Sequence, residues 1–541
     1  DPQHHYHHDL AMPRKRALPG SSTPERETLE EECFVDYDSR VLPQECLDGT
    51  VKLFCTHTEP NYSLPWQVRH QTSSSSTGCV LPGRRILTNA HCVDNYSVVK
   101  VKKRGDSTKF VAEVIAIGRE CDLALLTVKD KDFWAGTQPI ELGPLPALQD
   151  MVTVVGFPVG GDNLSITQGV VSRVDMQEYV HGCSELLAVQ IDAAINSGNS
   201  GGPAFSSQAK CVGIAFQSLK DGNAENIGYV IPISVVQHFL DDVTHNGRYC
   251  GFCDLEINLQ HCENASLRWA CGLPAKESGV MVRRVLPVSP AAGSLQRGDV
   301  LTHFDGVSIA NDGTVPFRSG ERIALTWLVS QKQVGDSATL RARRDGKSLS
   351  VTVQLGTGKL LVPVDSYLRK PGATDLRIPS YAIYGGLVFV PLCEPYLRSE
   401  YGDDFEAKAP ISLLDRWQHG ICEAREDQVV VLSQVLAHEI NVGYEHLVNH
   451  IVLNINGQRV RNLRQLVEVA DANEDAFLRV DLAPQSEAVV LERASLELAT
   501  QEILAAHSIA KARSADLVGL GPAPQQPSVA PQSKRTKRGT Q

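Results

Sequence analysis

Between about residues 50 and 240 the chain is cut into short apolar runs dominated by β-branched residues, several of them bounded by Gly or Pro. Examples are 51-VKLFC-55, 98-VVKVKK-103, 110-FVAEVIAIG-118, 123-LALLTV-128, 152-VTVVGF-157, 170-VVSRV-174 and 211-CVGIAF-216. Runs of this length and spacing predict a mainly β region folded as a sandwich or a pair of barrels. One helix is expected to close it, over 233-ISVVQHFLDDV-243, where apolar residues recur at helical spacing. With 541 residues the chain has material for about three or four domains. Its net charge of −11 opposes a role as an electrostatic nucleic-acid binder. No run of about 18 apolar residues occurs, so no membrane span is predicted.

Beyond residue 250 a second theme occurs twice. In 279-GVMVRRVLPVSPAAGSLQRGDVLTHFDGVSI-309 an apolar strand leads through small residues to a second strand and the turn Asp305-Gly306. The theme returns across 385-GGLVFVPL-392 and 430–470, with Asn456-Gly457 as the turn. Self-similarity on this scale predicts two copies of one small domain.

Three motifs carry chemistry. Ser200 lies in 196-NSGNSGGPAF-205, and a serine hydroxyl becomes a nucleophile only when a base removes its proton. Gly198 permits an unusual turn, so that the amides of the Gly198-Asn199-Ser200 stretch can converge where an oxyanion would form. Gly201 and Gly202 allow close backbone approach. His91, in 87-LTNAHCV-93, supplies an imidazole able to act first as base and then as acid. Asp122, in 121-CDLALL-126, heads an apolar strand, a poor place for an acid unless it orients a partner such as that imidazole. Each alone is ordinary, but together they follow the order His, Asp, Ser with about one barrel's worth of chain between the Asp and the Ser.

TNAHCV, CDLALL and GNSGGPAF, with the repeated domain behind them, resemble the Deg/HtrA (protease Do-like) serine peptidases over roughly residues 45–515. Stretches such as 137-TQPIELGPLPALQDMVTVVGFPVGGD-162 and 309-IANDGTVPFRSGERI-323 look closer to the plant and algal nuclear branch, although a chloroplast branch is also very similar. Ser197 stands where many bacterial relatives carry Pro or Arg, a departure in the activation loop that leaves the triad intact. The resemblance implies a trypsin/chymotrypsin-like double β-barrel protease domain over 46–246 and two PDZ-like domains over 250–358 and 381–495. A linker is expected over 359–380, a disordered extension over 1–45, and a C-terminal helix with a disordered basic tail over 496–541. It further implies ATP-independent cleavage of unfolded or regulatory proteins by His91, Asp122 and Ser200, with no cofactor. Homotrimers or hexamers are implied as well, with Phe54, Tyr62 and Trp66 as contact aromatics. The competing class is a PDZ-based chaperone or scaffold whose protease is latent.

The primary specificity pocket is expected between Ile195, Ile214 and Ala215; its apolar walls predict cleavage after Val, Ala or Ile. The PDZ-like domains are expected to capture extended peptides by strand addition, with Gly279 and Val280 binding a terminal carboxylate in the first and Gly386 and Leu387 in the second. The second of these sites is alternatively plugged by the chain itself. Switch loops are expected over 158–168, 175–186 and 217–226. Cys250, Cys253, Cys262 and Cys271, with His261, fit no common zinc spacing, so no metal is expected; redox sensing by Cys250 and Cys253 is the alternative. Among the fourteen cysteines, Cys79, Cys92, Cys121 and Cys211 sit in strand-like runs, as buried free thiols in a reducing compartment would. His4, His5, His7 and His8 read as solvated low complexity. Arg14-Lys15-Arg16 and Lys534 to Arg538 read as nuclear import signals, which favours the nucleus, or nucleolus, over the chloroplast.

Overall fold

The structure is a computed structural model and describes residues 42–179, 184–221, 224–318, 320–364 and 378–518. The His-rich stretch and both basic runs lie outside these residues. Residues 42–45, which the sequence places in the extension, belong to the folded part: helix α1 (Gln44–Asp48) packs Cys46 into the core.

Six strands close the first barrel: β1 (Thr50–His57), β2 (Thr72–Leu81), β3 (Arg85–Thr88), β4 (Tyr96–Lys102), β5 (Phe110–Gly118) and β6 (Leu123–Val128). The interior is filled by Val51, Leu53, Val99, Val101 and Phe133, the last from the short helix α2 (Lys131–Trp134). Six more close the second: β7 (Met151–Gly156), β8 (Ser165–Tyr179), β9 (Ser184–Ile191), β10 (Pro203–Ser206), β11 (Cys211–Asp221) and β12 (Ala224–Pro232). Closure leaves neither sheet with an unpaired edge. All three expected switch loops are partly strand instead: 165–168 and 175–179 lie in β8, 184–186 in β9, and 217–221 and 224–226 in β11 and β12. Of their described residues, only 158–164 lies outside a strand.

The predicted helix is α3 (Ile233–Asn246), which starts after Pro232 and stops at Gly247 in the left-handed conformation. Its Phe239 is fully buried against Gly118, where any Cβ would sit 3.1 Å from the ring.

The repeat is real. The first small domain holds the antiparallel strands β13 (Cys253–Asp254), β14 (Ile257–His261), β15 (Val280–Val285) and β16 (Val300–Phe304), then Ser337–Arg344 and Lys347–Gln354, with helices α4 (Ala265–Ala270) and α5 (Thr326–Ser330). The second repeats the order with Leu387–Pro391, Val430–Val435, His450–Ile455, Phe477–Ala483 and Glu487–Glu492. At equivalent places Asp305-Gly306 and Asn456-Gly457 turn with positive φ at both residues (46°, 82° and 47°, 75°), the conformation a two-residue hairpin requires and Asp-Gly and Asn-Gly supply. The helix Arg493–Ala506, set apart with the tail in the sequence reading, buries Ile503 in a core that includes Tyr381, Val388 and Val431.

Contacts between domains are specific. Arg318 Nη1 donates to Pro146 O (2.9 Å), His238 Nε2 lies 3.0 Å from Lys332 O, and His238 stacks on Phe252. Tyr62 and Trp66, assigned from sequence to an interface between copies, are partly buried against the second small domain; Trp66 meets the Tyr381 ring edge-on at 5.8 Å. Phe54 lies beneath Lys109, whose Nζ is 3.8 Å from the ring centre.

Candidate active site

The strand β3 ends at Thr88, and the chain turns into a single 3-10 turn that begins with His91. Asp122 faces it from the tight turn before β6, at a φ of 49° and wholly buried. The carboxylate accepts twice from one residue, from His91 N at 2.9 Å and His91 Nδ1 at 2.7 Å. Asn89 Nδ2 donates to Asp122 O at 2.9 Å and holds the turn from behind. This pins the ring with a proton on Nδ1 and leaves Nε2 as the basic atom. Burial works against a charged ring there, yet the neighbouring Cys92 thiol and the Asp122 carboxylate, with its hydrogen bond, outweigh it and lift the imidazole well above its usual pKa of 6.5.

Ser200 sits at the seam between the barrels. Its carbonyl accepts from Thr77 N of β2 at 3.0 Å and lies 3.8 Å from the thiol of Cys92, the residue next to His91. The neighbouring turn depends on two glycines. A Cβ on Gly198 (φ 99°) would fall 2.6 Å from Phe157 O, and one on Gly201 (φ 84°) would fall 2.1 Å from Thr77 O. Asn199 N–H donates to Asn196 O at 2.9 Å, so Asn199 is withdrawn from the predicted oxyanion hole. Among the described residues the amides of Gly198 and Ser200 have no protein acceptor, which leaves these two to meet a developing negative charge.

The loop is braced by residues the motifs do not announce. Thr77 Oγ1 donates to Gly198 O (2.7 Å) and accepts from Phe157 N (2.8 Å). Val159 N holds Ser197 O at 2.9 Å. Farther along that loop, Lys52 reaches Gly161 O at 2.6 Å and Asp162 at 2.8 Å, and Lys102 binds the other Asp162 oxygen at 2.8 Å. These bonds to Lys102 and Lys52 hold the Asp162 carboxyl down at about 2. The signal was present in sequence, since Lys52 interrupts the apolar run of β1.

The catalytic turn is anchored on both sides. Arg119 pairs with Asp94, which follows the His91 turn. Glu120 accepts from Tyr249 Oη at 3.1 Å and Phe252 N at 2.9 Å, in the segment that leads into the first PDZ-like domain. Asp242 takes the adjacent amides of Cys250 (2.5 Å) and Gly251 (3.3 Å). Burial pushes the Glu120 carboxyl up, against the hydrogen bonds from Phe252 and Tyr249.

The expected specificity pocket survives only in part. Ile214 and Ala215 are consecutive in β11 and so point to opposite faces, and neither is exposed; they are core rather than a common wall. Ile195, three residues before the oxyanion turn, packs against Gly228 and stays near the site. The side chains of 217–226, where β11 continues, lie outside the described residues.

Both predicted peptide loops are corrected. Val280 pairs with His261 on one side and Leu301 on the other, and Gly279 N donates to Asn311 Oδ1 at 3.1 Å. That strand is interior; β14, one strand earlier, is one edge of the sheet, and Lys347–Gln354 is the other. In the second domain Leu387 pairs with Tyr384 and Val435, and Gly386 is filled in by Leu436 O and Asn441. Its edge strand Ala382–Tyr384 is in turn covered by the chain's own residues 512–514: Ile383 N donates to Ala512 O at 2.8 Å and Ser514 N to Tyr381 O at 3.1 Å. Among the described residues every cysteine is free, and no three His, Cys, Asp or Glu side chains gather as metal ligands.

Comparison with known proteins agrees with this geometry. The trypsin family model matches residues 54–240, and PDZ domain models match 271–355 and 371–516. The chain is 45% identical over 511 residues to protease Do-like 2, chloroplastic, of Arabidopsis thaliana, covering 94% of this chain and 82% of that protein. It is 40% identical over 470 residues to protease Do-like 4, mitochondrial, of the same plant, covering 87% and 85%. Among solved structures, an HtrA-type protease AlgW with decapeptide aligns at a TM-score of 0.45 and 22% identity, covering 58% of this chain and 96% of that one. With the His91–Asp122 pair, the trypsin and PDZ models and the Do-like relatives show that the chain belongs to the protease Do-like (Deg/HtrA) family and is a trypsin-type serine endopeptidase with two PDZ domains.

Proposed function

We propose that the protein degrades unfolded or regulatory proteins without ATP. The carrying observation is the double hydrogen bond from His91 to buried Asp122 beside a serine turn with two unpaired amides. Ser200 Oγ attacks the scissile carbonyl as His91 Nε2 takes its proton, and the amides of Gly198 and Ser200 hold the resulting oxyanion. His91 then protonates the leaving amine, and water hydrolyses the acyl-enzyme by the same route. Asp122 stays ionised throughout and stabilises the imidazolium. Cleavage after small aliphatic residues is supported by Ile195 alone of the three expected wall residues.

The finer reading is a nuclear enzyme, similar to the plant and algal member protease Do-like nine, working as a homotrimer or hexamer. The two basic runs and the sequence stretches quoted above support it. Tyr62 and Trp66 are partly packed within the chain, so Phe54 is the candidate aromatic left for the contact between copies. A fluorescent fusion confined to chloroplasts ends the nuclear reading, and a monomer by light scattering ends the oligomeric one. The enzymatic reading is tested by ATP-free degradation of an unfolded model protein by wild type and Ser200→Ala. Wild-type cleavage should fall by about 10⁶-fold in the variant; equal inactivity of both favours the scaffold with a latent protease.

A further inference from the structure

The free edge of β14 borders a cavity of about 2300 Å³ between the protease domain and the first PDZ domain. Leu255, Ile257, Leu259, Leu325 and Val329 give it an apolar lining beside that edge. An extended segment added antiparallel to β14, as every neighbour in this sheet pairs, ends its course beside Ile257. The residue waiting there is Glu256, also on the cavity wall.

Glu256 is only 6% exposed and held at a φ of 49°, so its side chain is placed by the fold and not by solvent. Lys359 N donates to Oε1 at 2.6 Å, while Oε2 is buried with no partner among the described residues. Burial pushes this carboxyl up; the Lys359 amide opposes that, Asp254 adds to it, and Arg425 pulls the other way. The guanidinium of Arg425 is spent on Thr357 O, and that of Arg119, also on the cavity, on Asp94. An orphaned carboxylate oxygen in such a place needs a donor. A chain that continues past Ile257 brings a main-chain N–H; a chain that terminates there brings two more acceptor oxygens and a second negative charge.

Building on the reading of this protein as a protease that captures extended polypeptide, we propose that Glu256 makes the first PDZ domain select internal segments and reject free C-terminal carboxylates. The captured strand pairs with β14 and directs an N–H of its continuing chain to Glu256 Oε2. Unfolded chains are then engaged along their length, and freshly cleaved products, which carry new carboxyl ends, are released.

The test uses full-length Ser200→Ala, so that nothing is cut, with fluorescent peptides of one apolar sequence ending as a free acid or as an amide. Anisotropy titration at neutral pH should give at least about tenfold tighter binding of the amide, because like charges placed together are costly. Glu256→Gln keeps the shape and should bring the two peptides to within about twofold. Glu256→Gly, which also suits the positive φ, should do the same. Equal or tighter binding of the free acid by the unsubstituted site overturns the proposal. So does an unchanged ratio in both variants, or no binding of either peptide. Failure of the protease reading would show separately, as no degradation of unfolded protein by wild type.

Discussion

The two PDZ domains share a strand order and a turn chemistry, yet they end up with opposite edges. The first leaves β14 open to a cavity it shares with the protease domain. The second has its edge strand Ala382–Tyr384 covered by residues 512–514 and its core completed by Ile503 and Ile509. What decides the difference is chain outside the repeat: one domain is followed by a helix and strap that return to it, and the other is preceded by a segment tied to the catalytic turn. An unpaired edge offers a row of backbone donors and acceptors to any extended chain, so covering it removes a binding site. The same fold thus serves capture in one place and construction in the other.

The comparison can be broken in several ways. The largest effect separates catalysis from both domains: Asp122→Asn should lower kcat by about 10⁴-fold through the wrong imidazole tautomer, with peptide binding at β14 unchanged by anisotropy. Next is the closure of the second domain. Ile509→Ala should cost about 2–5 kcal/mol of stability in denaturant melts, as deletion of a buried aliphatic side chain does, while leaving kcat of the folded enzyme alone; an equal loss of kcat would mean that the two domains are not used differently. Smaller is the tie of the first domain: Glu120→Ala strands Phe252 N and Tyr249 Oη and should cost about 1–3 kcal/mol, this time with a fall in kcat, because Asp122 lies two residues away. The gentlest probe is pH. The neutral imidazole is the base, and its pKa is raised, so kcat/KM should climb with pH through a value above 6.5. The linked stability runs the opposite way: it is fully present below the unfolded value of about 6.5 and is lost as pH rises through the folded value. An acidic limb at or below 6.5 would show that Asp122 does not hold the ring as described.

The triad was legible because its chemistry requires particular residues in particular turns: Gly198 and Gly201 each sit where a Cβ would collide with backbone. The hairpins were legible for a similar reason, since Asp-Gly and Asn-Gly suit two successive positive φ values. Edges were not. The strands Val280–Val285 and Leu387–Pro391 were correctly read as strands, but periodicity gives a strand's faces and says nothing about which neighbours flank it. The true edge, 257-INLQH-261, is short and half polar, and its sequence gives little sign of being a strand. Ile214 and Ala215 failed as a shared pocket wall because successive residues of a strand face apart. Asn199 failed as an oxyanion donor because the tight turn that frees its neighbours consumes its own amide.

Glu120 bonds the lead-in to the first PDZ domain and shares a turn with Asp122. A free energy of coupling has no direction: whatever factor a segment on β14 applies to substrate affinity at Ser200, substrate applies to that segment in return. If a segment on β14 changes substrate affinity at Ser200 at all, a molecule in the catalytic cleft that never touches β14 changes the grip on polypeptide there by the same factor, and the enzyme's hold on its prey then reads out whether it is already engaged.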